Sequence, residues 1–141
     1  TNISPDIKSI TVENFLNVAG GGPPNLARTF TERVREYYQQ NSNLKIAQAD
    51  GDLLLEGEII GYETAPIAPT GDEKSALTRL TIRAKVRFTN TQDEAQNFDQ
   101  PFSFYFDFPQ GRSLSQVESE GIDQIFNQMI FDIFNKSVAN W

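Results

Sequence analysis

The sequence predicts an α+β fold of two layers: a four-stranded mixed sheet with two helices on one face, in the order β-α-β-β-β-α. Three observations carry that expectation. Stretches beginning near Leu53, Leu77 and Phe98 alternate along the chain with a period of two, as half-buried strands do. Two other stretches repeat apolar residues at helical spacing and so have one broad apolar stripe each. A strand, a helix and a strand in succession imply parallel pairing through a right-handed crossover, and the later short turns imply antiparallel neighbours. Packing both helices on the Phe-rich face of the sheet buries all the apolar stripes together.

The elements follow in order. Ile7 to Phe15 alternates around Ile10 and Val12 and is the first strand. Asn17 to Asn25 holds three Gly and two Pro and reads as a mobile connector, with Asn25 placed to cap a helix. Leu26, Phe30, Val34 and Tyr38 then step by four along one helix face, with Tyr37 beside them. Asp50-Gly51 marks a turn before a strand that starts at Leu53; Gly57 and Gly61 fall on its inward side, where they permit close approach or a bulge. Ala65 to Ala76 is a long turn expected to be mobile, and Ile67, between two prolines, is a candidate partner contact. Leu77 to Asn90 is the third strand. The fourth puts Phe98, Phe102, Phe104, Phe106 and Phe108 on one face, and Pro101 assigns it to an edge or a bulge. The closing helix has Ser115 and Glu118 as a capping box and Ile122, Ile125, Phe126, Met129, Ile130, Ile133 and Phe134 as its stripe. Phe104 and Ile130 are expected in one shared core, and residues 1–141 are expected to form a single domain.

Composition narrows the chemistry. The chain has neither His nor Cys, which rules out Ser-His-Asp and Cys-His mechanisms, disulfides and thiolate metal sites. A formal net charge of -7 argues against generic nucleic-acid binding. The run Gly20 to Gly22 lacks the Lys and Ser/Thr of a phosphate-binding loop, and Asp50 with Asp52 lacks calcium-loop spacing, so no cofactor is expected. No apolar run approaches the roughly 20 residues of a membrane span. The chain opens on Thr1 rather than Met, which suggests that a segment once stood before it.

The residues that point outward are the unusual ones. In "RLTIRAKVRF", Arg79, Arg83, Lys85 and Arg87 stand opposite Leu80, Ile82, Ala84, Val86 and Phe88. Two readings are open. If the second and third strands form a hairpin, Glu56 and Glu58 can sit near Arg83 and Lys85, and Asp107 can do the same from the other side. Alternatively two acids against three or four bases leave a positive surface that holds an anion, since Arg binds phosphate bidentately. Ile60, Tyr62 and Tyr105 add apolar area to the same face, and Tyr62 and Tyr105 are further candidate partner contacts.

The stretches "GDLLLEGEIIGYETAPIAPTGDEKSALTRLTIRAKVRFTNT", "NFDQPFSFYFDF" and "IFDIFNKSVANW" resemble the lipopolysaccharide-assembly lipoproteins of the LptE type, closest to the branch found in Bacteroidetes-like bacteria. The resemblance implies a non-enzymatic protein: an outer-membrane, periplasm-facing lipoprotein that sits inside the barrel protein LptD, helps it assemble and binds lipopolysaccharide. It implies a lipidated Cys just before Thr1 as the membrane anchor. It also implies that basic residues of the sheet contact lipopolysaccharide, which here makes Arg79, Arg83, Lys85 and Arg87 the candidates. The competing reading is a periplasmic structural module that braces a partner without a lipid site; a carboxylate hydrolase is a third.

Overall fold

The computed structural model describes residues 4–68 and 76–139. The elements are β1 (Ser9–Val12), β2 (Leu16–Asn17), α1 (Leu26–Asn41), β3 (Lys45–Ile46), β4 (Leu53–Ile67), β5 (Leu77–Asn90), β6 (Phe98–Pro109) and α2 (Leu114–Phe134), with a short 3-10 turn at Glu94–Gln96 and a π-helical end at Asn135–Ala139. The α+β class and the helices on the Phe-rich face are as expected. The sheet, however, has six strands rather than four, ordered β3-β1-β4-β5-β6 with β2 also against β4. The two additional strands are two residues long each, too short to show a period in the sequence.

The expected first strand is broken at its end for a local reason. Phe15 turns into the core and its N–H donates to Thr31 Oγ1 at 2.9 Å, while Arg35 donates to the Val12 carbonyl at 2.6 Å. Residues Ser9–Val12 and Leu16–Asn17 therefore lie along β4 as separate pieces. Both pair with β4 in parallel, as expected of strands joined through a helix. β4–β5 and β5–β6 are antiparallel, and β6 is the edge strand that Pro101 requires.

Both helix stripes are buried as the spacing demands. Leu26, Phe30, Val34 and Tyr38 of α1 and Ile122, Ile125, Phe126, Met129, Ile130, Ile133 and Phe134 of α2 join Ile10, Leu53, Leu55, Ile82 and Phe88 in one core. Phe15, Phe30 and Phe126 form an edge-on aromatic column, with centroid separations of 4.9 Å at both contacts, linking the sheet layer to α1 and α1 to α2. Phe104 is only partly buried, because β6 is the sheet's edge and α2 covers it on one side alone. At the far end, the buried Tyr38 hydroxyl meets Ser137 Oγ at 2.5 Å, and burial pushes the Tyr38 phenol above its ordinary range.

Four local expectations need correction. The capping box is at Ser113 and Gln116, where Gln116 Oε1 accepts from the Ser113 N–H at 2.9 Å, not at Ser115 and Glu118. Two such patterns overlap by two residues, and the earlier one brings Leu114 into the helix against the core. Asn25 does precede α1, but its side chain makes no cap hydrogen bond. The glycine loop is tied down rather than loose: Asn17 Nδ2 donates to the Gly21 carbonyl at 2.8 Å, and Asn17 Oδ1 accepts from Ala19 at 3.0 Å. The turn expected at Ala65 to Ala76 is shorter than that, since β4 runs on to Ile67 and pairs it with Leu77; the rest of that turn lies outside the described residues.

Candidate functional site

β4 controls which side chains share the open face. Its register against β5 runs Glu56↔Arg87, Glu58↔Lys85 and Ile59↔Ala84, then skips to Gly61↔Arg83 and Tyr62↔Ile82. Ile60 is thus an extra residue, a β-bulge that sets two residues against one. Beyond it the two faces of the strand exchange. Gly61, expected inward, lies beside outward-pointing Arg83. Tyr62, expected on the open face, points toward the helices, where its hydroxyl donates to Glu118 at the start of α2. Burial and this bond to Glu118 raise the Tyr62 phenol well above the usual tyrosine range. The ring also supports the glycine loop, which packs onto it at Gly21 and Gly22. Tyr62 is therefore an internal tie between β4, the loop and α2. Tyr62→Phe keeps the ring and removes the bond. It is expected to lower stability by about 1.5 kcal/mol, the lower end for a hydrogen bond to a charged group. Urea unfolding checks this, and a loss indistinguishable from zero would mean that the ring alone makes the tie.

The basic row is where alternation puts it, but most of it is engaged. Arg79 holds Asp107 through two hydrogen bonds at 2.8 and 2.9 Å, and its guanidinium lies 3.8 Å from the centre of the Tyr105 ring. Arg87 holds Glu58 at 2.6 and 3.2 Å and reaches Glu56 at 3.8 Å. Lys85 stands 3.7 Å from Asp99. The hydrogen bonds to Arg87 hold Glu58 below the ordinary carboxylate range and raise the Arg87 guanidinium in turn; the bond to Asp107 does the same for Arg79. Glu58 does stand opposite Lys85, as expected, but its hydrogen bonds go to Arg87, and Glu56 also reaches Arg87 rather than Arg83. The balance changes as well. Glu56, Glu58, Glu63, Asp99 and Asp107 share this face with the four cations, so it has no overall positive excess. Exposed pairs of this kind contribute about 0.2–1 kcal/mol each.

Arg83 is the exception. It is exposed, and among the described residues no carboxylate lies within 4.0 Å of it. A Cβ on Gly61 would lie 3.4 Å from Arg83 Cβ and Cδ, so the Arg83 stem lies against this glycine, beside Ile60. Along β4 and β2 at this point stands an apolar group of which sequence reasoning named only Ile60. Leu16 and Val18 are 63% and 62% exposed, and Ile60 in the bulge is 40% exposed. The one signal was a pair of apolar residues at alternate positions just before the glycine run. Of the candidate partner contacts, Tyr105 is exposed on the open face, and Ile67 is half-buried at the last described pair of the hairpin.

Comparison with known proteins agrees with this architecture. The model of the family described as LptE, lipopolysaccharide-assembly, matches residues 7–137. No curated protein shows a significant sequence match. Among solved structures, the chain is similar to a minor lipoprotein from Acinetobacter baumannii, with a TM-score of 0.61 at 12% identity, covering 96% of this chain and 95% of that one. It is also similar to a hypothetical protein from Chlamydia trachomatis, with a TM-score of 0.58 at 8% identity over 94% and 99% of the two chains. An uncharacterized lipoprotein B from Nitrosomonas europaea gives a TM-score of 0.55 at 9% identity over 92% and 79%. These likenesses show the fold. With the family match running from the first strand to the C-terminal helical turn, the chain belongs to the LptE family and has a role in lipopolysaccharide assembly.

Proposed function

We propose that the protein is a non-enzymatic, lipid-anchored lipoprotein of the outer membrane, facing the periplasm, that helps the barrel protein LptD assemble and binds lipopolysaccharide on the open face of its sheet. The observation that carries the lipid-binding part is Arg83: an exposed guanidinium with no carboxylate partner among the described residues, in a row where Arg79 and Arg87 are held by acids. A free guanidinium offers a phosphate two parallel hydrogen bonds at no cost of breaking an existing pair. Lys85, held only at 3.7 Å by Asp99, is the second cation available. Arg79 and Arg87 stand in the same row but are taken up by their own carboxylates. Ile67 and Tyr105 are the residues offered to the barrel.

Titration of labelled lipopolysaccharide tests this reading. Arg83→Gln with Lys85→Gln is expected to weaken binding by about 10–100-fold, the worth of one or two charge-assisted hydrogen bonds. Stability should change by no more than about 0.5 kcal/mol per exposed site. Binding should also weaken with added salt, since unburied charge is screened over about 8 Å at physiological ionic strength. Dephosphorylated lipid A should bind less well than the native form. The ion-paired state of Arg79 and Arg87 favours a second reading, a bracing module without a lipid site. Identical curves for wild type and double variant, at low and moderate salt, would leave that reading in place.

A further inference from the structure

We infer that Leu16, Val18 and Ile60 form a ledge for an acyl chain, placed so that Arg83 holds the phosphate of the same lipid; the inference rests on the lipid-binding reading above. The exposed large hydrophobics among the described residues are Leu16, Val18, Ile60, Tyr105 and Phe131. The first three are brought together by strand register. Leu16 pairs with Glu58 and Asn17 with Ile59, and the Val18 N–H donates to the Ile59 carbonyl at 3.0 Å. That pairing sets Leu16 on the face shown by Glu58 and carries Val18 to the level of Ile60.

Single exposed aliphatic residues are ordinary on a protein surface, but adjacent ones beside an unpaired cation are not. The bulge makes this neighbourhood. It leaves Ile60 on the open face without a partner on β5, and it sets Gly61 opposite Arg83, so that the stem of the arginine lies against the residue next to Ile60. Charge therefore decides the occupant. An anion held by Arg83 has hydrocarbon surface directly beyond it, the order in which a phosphate and an acyl chain follow in an anionic lipid. The residue types agree: Leu and Val are under-represented among protein-partner hot spots, where Trp, Tyr and Arg dominate, whereas a purely aliphatic strip suits a chain that offers only methylenes. On the Tyr105 side of the face the cation stacked on the ring, Arg79, is already bound to Asp107.

The test compares lipid A, its fully deacylated form and inorganic phosphate as ligands of the whole chain. Leu16→Thr, Val18→Thr and Ile60→Thr together are expected to weaken lipid A binding about tenfold or more while leaving the deacylated form unaffected. Arg83→Gln should weaken both, and inorganic phosphate should compete only with the phosphate contact. Ile60→Thr alone keeps a β-branched side chain and should give a smaller loss in the same direction, which covers the case of a triple variant that does not fold. Equal binding of lipid A by wild type and threonine variants overturns the ledge and leaves the lipid-binding reading standing. Failure of the wild type to bind lipid A overturns both. Unchanged lipid binding with lost capture of purified LptD would assign the ledge to a protein partner instead, and the inference falls.

Discussion

Phe126→Ala should destabilise the protein by about 3–5 kcal/mol, the range for removing a large aromatic from a fully buried site. Phe126 is 0% exposed and is the α2 end of the aromatic column that passes through Phe30 to Phe15. Its removal opens a cavity between two helices and a sheet, none of which can collapse into the space without unseating the others. It also takes away one edge-on aromatic contact, worth about 0.5–1.5 kcal/mol beyond area. Such a loss is a large share of the roughly 5–15 kcal/mol that a native domain has in total. Urea unfolding measures it through the midpoint, with the slope unchanged if the transition stays two-state. Phe104→Ala is the internal comparison: on the partly covered edge strand it should cost clearly less. Equal losses at Phe104 and Phe126 would contradict the core assignment.

Gly57→Ala is expected to cost about 3 kcal/mol or more, at or beyond the usual range for overpacking. A Cβ at this position would lie 2.0 Å from the Lys85 carbonyl oxygen and 2.8 Å from Phe15 Cε2. The first neighbour is the backbone of β5, which cannot move without parting the central ladder. The second is the ring that starts the aromatic column, so the strain passes directly to Phe30. Gly61→Ala is the control, since its Cβ would meet only the flexible stem of Arg83 at 3.4 Å. It should be far milder. A Gly57→Ala protein that unfolds at the wild-type midpoint would show that the strand relaxes where the structure leaves no space.

What could be read in advance follows from period and length. The α2 stripe from Ile122 to Phe134 and the alternation of Leu77–Asn90 extend over many residues, so the faces they predict are the faces observed. Lys45–Ile46 and Leu16–Asn17 are set by tertiary hydrogen bonds such as Phe15 to Thr31, which no local pattern announces. The face of Tyr62 was misread because alternation was carried straight through Ile60, although the glycine that follows Ile60 had marked a bulge as an option. The candidate site was legible as a row of cations and no further. Which cation stays unpaired depends on diagonal reach across the strands: Arg87 takes both Glu56 and Glu58, leaving Arg83 alone. That is a matter of ångströms and not of residue type.

The extra residue in β4 works as a change of phase. A strand normally commits all its odd positions to one side and all its even positions to the other along its whole length. Here the half before Ile60 obeys one assignment and the half after it obeys the opposite one, so a single strand serves two different neighbours in sequence. Deleting Ile60 would restore a single phase and leave every other residue on its present side: Gly61 would follow Ile59 opposite Arg83, and Tyr62 would still face Glu118. A one-residue deletion at Ile60 should therefore be tolerated by the ladder, whereas a deletion at Glu63 would turn the residues beyond it to the opposite side. On either side of Ile60 the same parity of residue number therefore means opposite sides of the protein.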